Sequence, residues 1–536
     1  MTLLQVSDLH VSYSTSQGPV YAAQGVSLSV EPGQVTAIVG ESGSGKSTTA
    51  HAALGLLPGN AQIESGEITL AGRSLIGLSE RQWRSIRGTR IGLVPQDPNN
   101  SLNPVKTIGA SVAEGLRIHG RPVSDSRVIE LLERVGIDDP ARRARQYPHE
   151  LSGGMKQRAL IASAIALEPE LIIADEPTSA LDVTVQKTIL DLLDDMRRDI
   201  GLGILFITHD LAVAGDRADQ VVVMQRGQVK ESGPAASLLT DPHDPYTQRL
   251  LANAPSLATG TATPRQRPPL SEDILLEVKN LRQEFGQGSN TFVAVEDMSF
   301  QVVRGSTHAI VGESGSGKTT TGRAIAAFTR PTAGTITIDG KEIQNATSKE
   351  RRELRRVVQM VYQNPFSSLD PRQSVGASIA EPLKNFGSRS KATIDAAVAE
   401  HLDLVALDPA LASRRPAELS GGQRQRVAIA RALILQPELV VFDEAVSALD
   451  VTVQAQILEL LDNLQRELHL TYVFISHDLA VVRQISDTVT VMKSGRHVEE
   501  GSTAEVFDHP QDDFTRTLLD AIPGRSYRAG ALNLGL

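Results

Sequence analysis

Two stretches of this sequence combine a glycine-rich turn with a lysine and a hydroxyl residue. The first runs Gly40-Glu-Ser-Gly-Ser-Gly-Lys-Ser47 and the second Gly312-Glu-Ser-Gly-Ser-Gly-Lys-Thr319. Glycines let successive backbone N–H groups turn inward on phosphates, the lysine neutralises phosphate charge, and the hydroxyl can bind Mg²⁺. Each stretch lies between a strand pattern and a helical pattern, which is the context that a phosphate-binding loop (P-loop) requires. Both are therefore predicted to bind ATP and Mg²⁺.

The residues predicted to bind nucleotide lie in the glycine-rich turn of each loop or at the start of the helix that follows the turn. They are Gly40, Gly43, Gly45, Lys46, Ser47 and Thr48 in the first copy, and Gly312, Gly315, Gly317, Lys318, Thr319 and Thr320 in the second.

Two Asp-Glu pairs each end an apolar run of strand length. Asp175 and Asp443 are predicted to hold the Mg²⁺ shell together with Ser47 and Thr319. The glutamates that follow are suited to orienting or deprotonating the attacking water. An Asp-Glu pair can also be a solvated loop start or a helix cap, but recurrence behind a P-loop favours the catalytic interpretation. The predicted catalytic glutamates are Glu176 and Glu444.

The repeat extends over the whole chain of 536 residues, since matching motifs recur 268 to 272 positions apart. This regular spacing predicts a duplicated domain. The predicted organisation is one ATPase domain over 1–253, a linker over 254–272 and a second domain over 273–536. Residues 254–272 contain four prolines and no periodic apolar positions, as is typical of an extended linker.

The predicted fold class is α/β in both halves. Short apolar runs before each P-loop, before each Asp-Glu pair and near residues 204 and 472 have the length of strands buried on both faces. Helical patterns separate them, so parallel strands are expected.

Composition limits the classes of protein that fit. The chain has no cysteine, which excludes disulfides, thiolate metal sites and a cysteine nucleophile. No signal peptide pattern and no apolar run long enough to cross a bilayer is visible, so we expect a cytoplasmic protein whose membrane role depends on partners. The net charge of −10 argues against nucleic acid as a partner.

A Leu-Ser-Gly-Gly motif precedes each Asp-Glu strand, and with it the whole chain resembles the ABC-type ATPases. The resemblance implies two tandem P-loop NTPase domains, each with a helical signature-bearing subdomain and a short C-terminal extension. It implies that the signature residues contact nucleotide; these are Ser152, Gly153 and Gly154, and Ser420, Gly421 and Gly422.

The same resemblance implies further roles. Gln96 and Gln363 look like Q-loop glutamines that touch Mg²⁺ or water, and His209 and His477 look like switch histidines that contact the γ-phosphate. Ser179–Asp182 and Ser447–Asp450 resemble D-loops. Residues suited to stacking on adenine are Tyr13 and Phe285, with Tyr21 as a rival for Tyr13.

In this family two domains pair head to tail, so each ATP is expected between the P-loop of one half and the signature of the other. Both sites retain every key residue, and two hydrolytic sites are predicted. Departures from the family pattern are mild: Met155 replaces the commoner glutamine after the first signature, and Ala445-Val446 replaces the usual Pro-Thr after Asp443-Glu444.

The segment His243-Asp-Pro-Tyr-Thr247 and its looser copy around Phe514 resemble the C-terminal extension of ATPases from dipeptide, oligopeptide and nickel importers. Either segment could also be only a turn and a closing helix. The resemblance implies a peptide importer subunit that is peripheral at the cytoplasmic face of the inner membrane, with two permeases and an extracytoplasmic binding protein as partners. Relatives with a cysteine cluster here can hold an iron–sulfur centre, but this chain cannot. Alternatives are an importer for nickel, glutathione or opines, and a soluble tandem protein acting on ribosomes or DNA.

Overall fold

The structure, a computed structural model, describes residues 2–16, 18–178, 181–254, 256–257, 273–286, 291–364, 368–387, 390–447 and 449–524. These residues divide into two compact units, one built mainly from the first half of the chain and the other mainly from the second. The proposed linker over 254–272 falls almost entirely outside the described residues. Part of each proposed D-loop, Ser179, Ala180 and Ala448, does so too.

The strands of the first half form two sheets. They are β1 (Leu4–Thr15), β2 (Gly18–Val30), β3 (Val35–Val39), β4 (Ala61–Leu70), β5 (Arg73–Ser74), β6 (Ile91–Val94), β7 (Leu171–Asp175), β8 (Gly203–Thr208), β9 (Gln220–Gln225) and β10 (Gln228–Pro234). One sheet has the order β10-β9-β3-β8-β7-β6 and is parallel except for β10. The other is antiparallel, in the order β2-β1-β4-β5.

The α-helices of the first half include the one that follows the P-loop and a group between β6 and β7. They are α1 (Lys46–Ala53), α2 (Glu80–Arg84), α3 (Pro98–Ser101), α4 (Ile108–Val112), α5 (Glu114–Ile118), α6 (Asp125–Arg134), α7 (Pro140–Arg143), α8 (Gly153–Ile165), α9 (Val183–Ile200), α10 (Leu211–Arg217), α11 (Ala235–Thr240) and α12 (Pro245–Asn253). Helices α4 to α8 form the helical subdomain, and the signature motif begins α8.

The second half repeats this arrangement of strands. They are β11 (Ile274–Phe285), β12 (Phe292–Val295), β13 (Phe300–Val303), β14 (Thr307–Gly312), β15 (Ala333–Ile338), β16 (Lys341–Glu342), β17 (Val358–Val361), β18 (Leu439–Asp443), β19 (Thr471–Ser476), β20 (Thr488–Lys493) and β21 (Arg496–Ser502). The mainly parallel sheet has the order β17-β18-β19-β14-β20-β21, which matches the first half strand for strand.

Among the residues that the structure describes, the α-helices of the second half follow the same plan, with the signature at the start of α17. They are α13 (Lys318–Ile325), α14 (Ser348–Val357), α15 (Val375–Phe386), α16 (Lys391–Leu404), α17 (Gly421–Leu433), α18 (Val451–Leu468), α19 (Leu479–Ile485), α20 (Thr503–Asp508) and α21 (Asp513–Asp520). The prediction of α/β domains with a helical signature-bearing subdomain is confirmed. The antiparallel sheets were not predicted.

Each parallel sheet is buried on both faces, which keeps the strand ends rigid. In β3 the side chains of Ala37 and Val39 face one hydrophobic cluster, and Ile38 between them faces another. This alternation follows from the two-residue period of a strand. The carboxyl ends of β3 and β7, which carry the P-loop and the Asp-Glu pair, are therefore held at the same edge of the sheet. No helix among the described residues is long and apolar enough to cross a membrane.

Candidate nucleotide sites

The first P-loop joins β3 to α1 in a tight path that glycine makes possible. A Cβ on Gly40 would lie 2.1 Å from the carbonyl oxygen of Met224, and one on Gly45 would lie 2.2 Å from that of Ala22. Gly45 also has a φ of +100°, a conformation that side chains disfavour. The second loop is confined in the same way, with distances of 2.1 and 2.5 Å. Both loops therefore have the close backbone turns that a phosphate cradle needs.

The P-loop lysines are folded back onto their own loops. Lys46 Nζ donates hydrogen bonds to the carbonyl oxygens of Gly40 (2.6 Å) and Glu41 (2.9 Å). Lys318 makes the equivalent bonds at 2.8 and 2.7 Å. Burial lowers the pKa of Lys318, although the carboxylates around it oppose the shift. A phosphate group would give each buried ammonium the counter-charge that favours its protonated form.

A serine within each P-loop has a buried hydroxyl whose bonding capacity is unused. Among the described residues, neither Ser44 Oγ nor Ser316 Oγ has a hydrogen-bond partner. An unsatisfied buried polar group costs about 1–3 kcal/mol, and a phosphate oxygen that accepts a hydrogen bond from the hydroxyl would remove this penalty. The loops thus fit a bound polyphosphate. These two serines were not among the predicted site residues. Their recurrence at the same position of both P-loops was the sequence signal that could have identified them.

The proposed magnesium ligands lie together in each half. Ser47 Oγ donates to Asp175 Oδ1 (3.2 Å), and Thr319 Oγ1 donates to Asp443 Oδ1 (2.8 Å). Burial raises the pKa of both aspartates, and the negative charge of the adjacent glutamate adds to this, against the hydroxyl hydrogen bond. Such oxygen donors suit Mg²⁺, whose charge would stabilise the ionised carboxylates.

In the first half the Glu176 carboxylate is held by two other predicted residues. Gln96 Nε2 donates to Glu176 Oε2 (2.8 Å), and His209 Nδ1 lies 3.2 Å from the same oxygen. The glutamine arrives from the loop after β6 and the histidine from the end of β8. Residues from three neighbouring strands therefore meet at one carboxylate.

The second half reproduces this arrangement around Glu444. Gln363 Nε2 donates to Glu444 Oε2 (2.7 Å), and His477 Nδ1 lies 3.3 Å from that oxygen. Each distance agrees with its first-half counterpart to about 0.1 Å. The sequence repeat thus extends to the geometry of the side chains that carry chemistry.

The backbone of both glutamates adopts an uncommon conformation. Glu176 has a φ of +44° and Glu444 a φ of +50°, in the left-handed region that non-glycine residues rarely occupy. Each amide N–H donates a 2.9 Å hydrogen bond to a carbonyl of the next strand, Ile207 O and Ile475 O respectively. Residues held in this way cluster at functional sites, where the surrounding structure fixes the strained conformation.

The glutamate and the histidine shift each other's pKa. Burial raises the pKa of Glu176, but the hydrogen bond and charge of His209, together with the charge of Lys46, outweigh it, so the pKa lies below its ordinary value. Burial lowers the pKa of His209, but the bond to Glu176 outweighs it and the pKa is raised. The same directions apply to Glu444 and His477. Each glutamate is therefore ionised at neutral pH, as a proton acceptor must be.

Each signature serine caps the helix that it begins. Ser152 Oγ accepts from Met155 N and Ser420 Oγ accepts from Gln423 N, both at 3.3 Å. Only in the second half does the reverse bond form, from Ser420 N to Gln423 Oε1 at 3.0 Å. Methionine has no oxygen to accept it. The replacement at Met155 therefore leaves the first signature helix with half of the capping box.

The second glycine of each signature lies against a valine of the next helix. A Cβ on Gly154 would be 2.5 Å from Val185 Cγ1, and one on Gly422 would be 2.5 Å from Val453 Cγ1. The first signature glycines, Gly153 and Gly421, are the opening residues of α8 and α17. Close packing of the signature helix is thus a further reason for glycine here.

The predicted adenine-stacking residues differ in their surroundings. The Tyr13 hydroxyl lies 3.2 Å from Thr48 Oγ1 on α1, which places its half-buried ring beside the P-loop helix. Phe285 is 45% exposed and pairs across strands with Phe292, which is 64% exposed. Tyr21, the rival of Tyr13, is 52% exposed. Phe292 was not predicted as a candidate.

A polar cavity adjoins the proposed magnesium ligands of the second half. It has a volume of about 710 Å³, and Thr319, Gln363 and Asp443 form part of its wall. Arg431 lines it from the signature helix, and burial lowers the pKa of this guanidinium. The Q-loop glutamine therefore borders both the predicted catalytic site and an opening toward the helical subdomain.

Comparisons with known proteins show the family of this chain. The family model described as "ABC transporter" matches residues 23–179 and 295–447, and the model "Oligopeptide/dipeptide transporter, C-terminal region" matches 230–275. The chain is 42% identical to the oligopeptide transport ATP-binding protein OppD of Mycobacterium bovis, covering 97% of this chain and 98% of that protein. It is 42% identical to the glutathione import ATP-binding protein GsiA of Salmonella choleraesuis (97% and 89%). It is 43% identical to the peptidoglycan transport ATP-binding protein YejF of Agrobacterium fabrum (97% and 96%).

The match of both domains to the ABC transporter model shows that the chain is an ATPase, a class that uses ATP and Mg²⁺. The chain belongs to the ABC transporter ATP-binding proteins, and it carries two such domains in tandem together with the C-terminal region of the oligopeptide/dipeptide type.

Proposed function

We propose that this chain is the energy-coupling ATPase of an importer for dipeptides and oligopeptides, with two competent catalytic sites. The observation that carries the proposal of competence is the matched network around Glu176 and Glu444. Both carboxylates accept hydrogen bonds from a glutamine and contact a histidine at the same distances. The match of residues 230–275 to the oligopeptide/dipeptide transporter region supports the peptide class of cargo.

In the proposed mechanism, Mg²⁺ would be held by Ser47 and Asp175 in one site and by Thr319 and Asp443 in the other. Mg²⁺ supplies charge neutralisation for the phosphates when it is bound. Lys46 and Lys318 leave their loop carbonyls to bind phosphate oxygens.

Each catalytic glutamate then receives the proton of the attacking water, and its glutamine positions that water. The histidine holds the carboxylate ionised until the water arrives, and it contacts the γ-phosphate. A positioned general base of this kind contributes about 10²–10⁴-fold to the rate. The proposed catalytic residues are Glu176, His209 and Gln96 in the first half, and Glu444, His477 and Gln363 in the second.

We further propose that the halves pair head to tail, with Ser420, Gly421 and Gly422 completing the site of Lys46. Ser152, Gly153 and Gly154 complete the site of Lys318 in the same way. This proposal rests on the family resemblance, and Ser420→Arg tests it. The variant is expected to damage nucleotide turnover at the Lys46 site. Selective loss at the Lys318 site would contradict the pairing.

The partners in this proposal are two membrane permeases, with a binding protein outside the membrane delivering cargo. The ATPase would lie peripherally on the cytoplasmic face. The proposed contact surface is the pair of Q-loop regions, and the cavity beside Gln363 supports this in the second half. Relatives named for glutathione and peptidoglycan transport make other cargoes the main alternative.

Uptake by cells lacking this gene tests the proposal. The cells would carry either the wild-type chain or the Glu176→Gln, Glu444→Gln double variant, and labelled dipeptides, oligopeptides, glutathione and Ni²⁺ would be compared. We expect peptide uptake only with the wild type. Restored uptake of glutathione or Ni²⁺ alone would reassign the cargo. The double variant would also be used to pull down bound partners from native membranes. Recovery of ribosomal proteins or DNA, and of no permease, would overturn the transport function.

A further inference from the structure

The C-terminal extension of the first half touches the P-loop through one hydroxyl group. Glu41 N donates a hydrogen bond of 3.2 Å to Tyr246 Oη, and the ring of Tyr246 is only 4% exposed. Tyr246 lies on α12, within the segment that matches the oligopeptide/dipeptide transporter region. A feature outside the ATPase core therefore contacts the backbone of the loop that binds phosphate.

The start of α12 is fixed in place by hydrogen bonds from backbone N–H groups to two side-chain carboxylates. The Glu231 carboxylate, on β10, accepts from His243 N (2.8 Å) and Asp244 N (3.2 Å). Asp244 in turn caps the helix by accepting from Tyr246 N at 2.7 Å. The tyrosine is thus carried on a rigid turn, so its hydroxyl is an acceptor at a fixed place.

The second half has the same scaffold without the hydroxyl. Glu499 accepts from Gln511 N (2.8 Å) and Asp512 N (3.2 Å), and Asp512 caps the helix at Phe514 N (2.7 Å). Phenylalanine cannot accept a hydrogen bond from the P-loop. Lys493 instead places its ammonium 4.5 Å from the centre of the Phe514 ring.

The lysine is also specific to the second half, since Gln225 occupies the matching position at the end of β9. The two halves therefore differ by a pair of residues at this contact. The first half combines Tyr246 with Gln225, and the second combines Phe514 with Lys493.

Glu41 is held from two sides in the first half. Its N–H is bound by Tyr246, and its carbonyl accepts from Lys46 Nζ at 2.9 Å. A hydrogen bond that remains when Lys46 turns to a phosphate keeps the first peptide of the loop ordered. A loop that is ordered before its ligand arrives loses less conformational entropy on binding.

We propose that Tyr246 is a positioning residue that preorganises the first P-loop and makes the first site bind nucleotide more tightly than the second. The difference concerns binding, because the hydroxyl accepts from a backbone N–H of the P-loop, a group that takes no part in the proton transfer. The inference requires only that both P-loops bind nucleotide, and it holds whatever the cargo of the transporter.

Reciprocal exchanges test this in the full-length chain, with one site disabled at a time. Lys318→Ala leaves the first site to be measured and Lys46→Ala the second. Tyr246→Phe in the first background is expected to weaken Mg·ATP affinity by about two- to tenfold, the range of one net hydrogen bond, with kcat within about twofold. Phe514→Tyr with Lys493→Gln in the second background is expected to tighten affinity by up to the same factor.

Tyr472→Phe in the Lys46→Ala background is a matched control. It removes another buried tyrosine hydroxyl, which donates to Leu461 O at 3.0 Å in the second half. It is expected to lower the melting temperature and leave affinity unchanged. Unchanged affinity after Tyr246→Phe, or an equal fall in kcat, would overturn the inference. If neither site binds Mg·ATP even before these exchanges, the ATPase assignment itself fails.

Discussion

The two halves of this chain arrange their proposed catalytic side chains in nearly the same geometry, but they differ in the residues around those side chains. Around Glu176 and Glu444 the hydrogen-bond distances agree to about 0.1 Å. By contrast, the signature helices have different caps, and the C-terminal extensions meet the P-loops through Tyr246 in one half and Phe514 in the other. Polar groups that react must be placed to within a fraction of an ångström, whereas the supporting residues can reach a similar backbone by several routes.

Variants of the proposed catalytic carboxylates, Glu176 and Glu444, are expected to have the largest effects on activity. We expect Glu176→Gln and Glu444→Gln each to lower turnover at its own site by about 10²–10⁴-fold, because a base is lost. Binding of Mg·ATP should persist, since glutamine keeps the size of the side chain. Single-turnover hydrolysis and equilibrium binding would be measured for each variant.

Because the two networks match, the two single variants should lose the same fraction of total activity. A variant that loses nearly all of the activity while its counterpart loses little would show that the halves are not equivalent. Functional equivalence would then be contradicted at the sites whose geometries agree best.

The signature glycines are expected to have smaller and equal effects. Gly154→Ala and Gly422→Ala each put a methyl group 2.5 Å from a valine, so each should lower the free energy of unfolding of its own half by about 1–3 kcal/mol. Native-state hydrogen exchange of the amides in α8 and α17 would measure both losses in the full-length chain.

The neighbouring glycines provide matched controls. A Cβ on Gly153 would be 3.6 Å from Leu181, and one on Gly421 would be 3.9 Å from Leu449, which are ordinary contact distances. Gly153→Ala and Gly421→Ala should therefore leave exchange nearly unchanged. Equal protection in the control and test variants would contradict the packing argument.

Sequence reasoning predicted the parallel strands and the meeting of the P-loop and the Asp-Glu pair, because these motifs recur 268 to 272 positions apart. The roles of the glutamines and histidines came from the family resemblance, and their contacts with Glu176 and Glu444 were not predicted.

Sequence reasoning missed the antiparallel sheets, whose alternating pattern is interrupted. The pairing of β1 with β2 shifts register between Val6 and Leu9 and again before Ser12, so a two-residue period does not persist. It also missed the bond between Glu41 and Tyr246, because nothing local marks a contact between residues 205 positions apart.

A buried histidine distinguishes the second P-loop strand from the first. His308 Nδ1 lies 2.8 Å from Thr488 Oγ1 and its Nε2 lies 3.0 Å from Thr490 Oγ1, and its ring stacks on Phe300 at 4.5 Å. The matching residue of the first half is Thr36, which donates to a backbone carbonyl at 2.7 Å. Burial, with a smaller effect of the charge on His497, lowers the pKa of His308 to about 3.

This shift gives the second half an acid-sensitive group where the first half has Thr36. Unfolded His308 binds a proton below about pH 6.5, while the folded residue stays neutral until about pH 3, so stability is lost as the pH falls through that window. Between pH 7.5 and 5.5 the loss should be on the order of 1 kcal/mol. His308→Thr, which installs the first-half residue, should remove most of that loss although it lowers stability at pH 7.5.

Calorimetry of the full-length chain at pH 7.5 and 5.5 would compare the wild type, His308→Thr and His509→Gln. The last variant removes an exposed histidine of the second half and should keep the wild-type acid loss. His497, whose pKa is also lowered by burial, adds to the acid loss in all three chains. The raised pKa values of His209 and His477 oppose that loss equally in all three. An acid loss in His308→Thr as large as that of the wild type would show that His308 is not its source. The difference between the halves at this strand would then be one of packing alone.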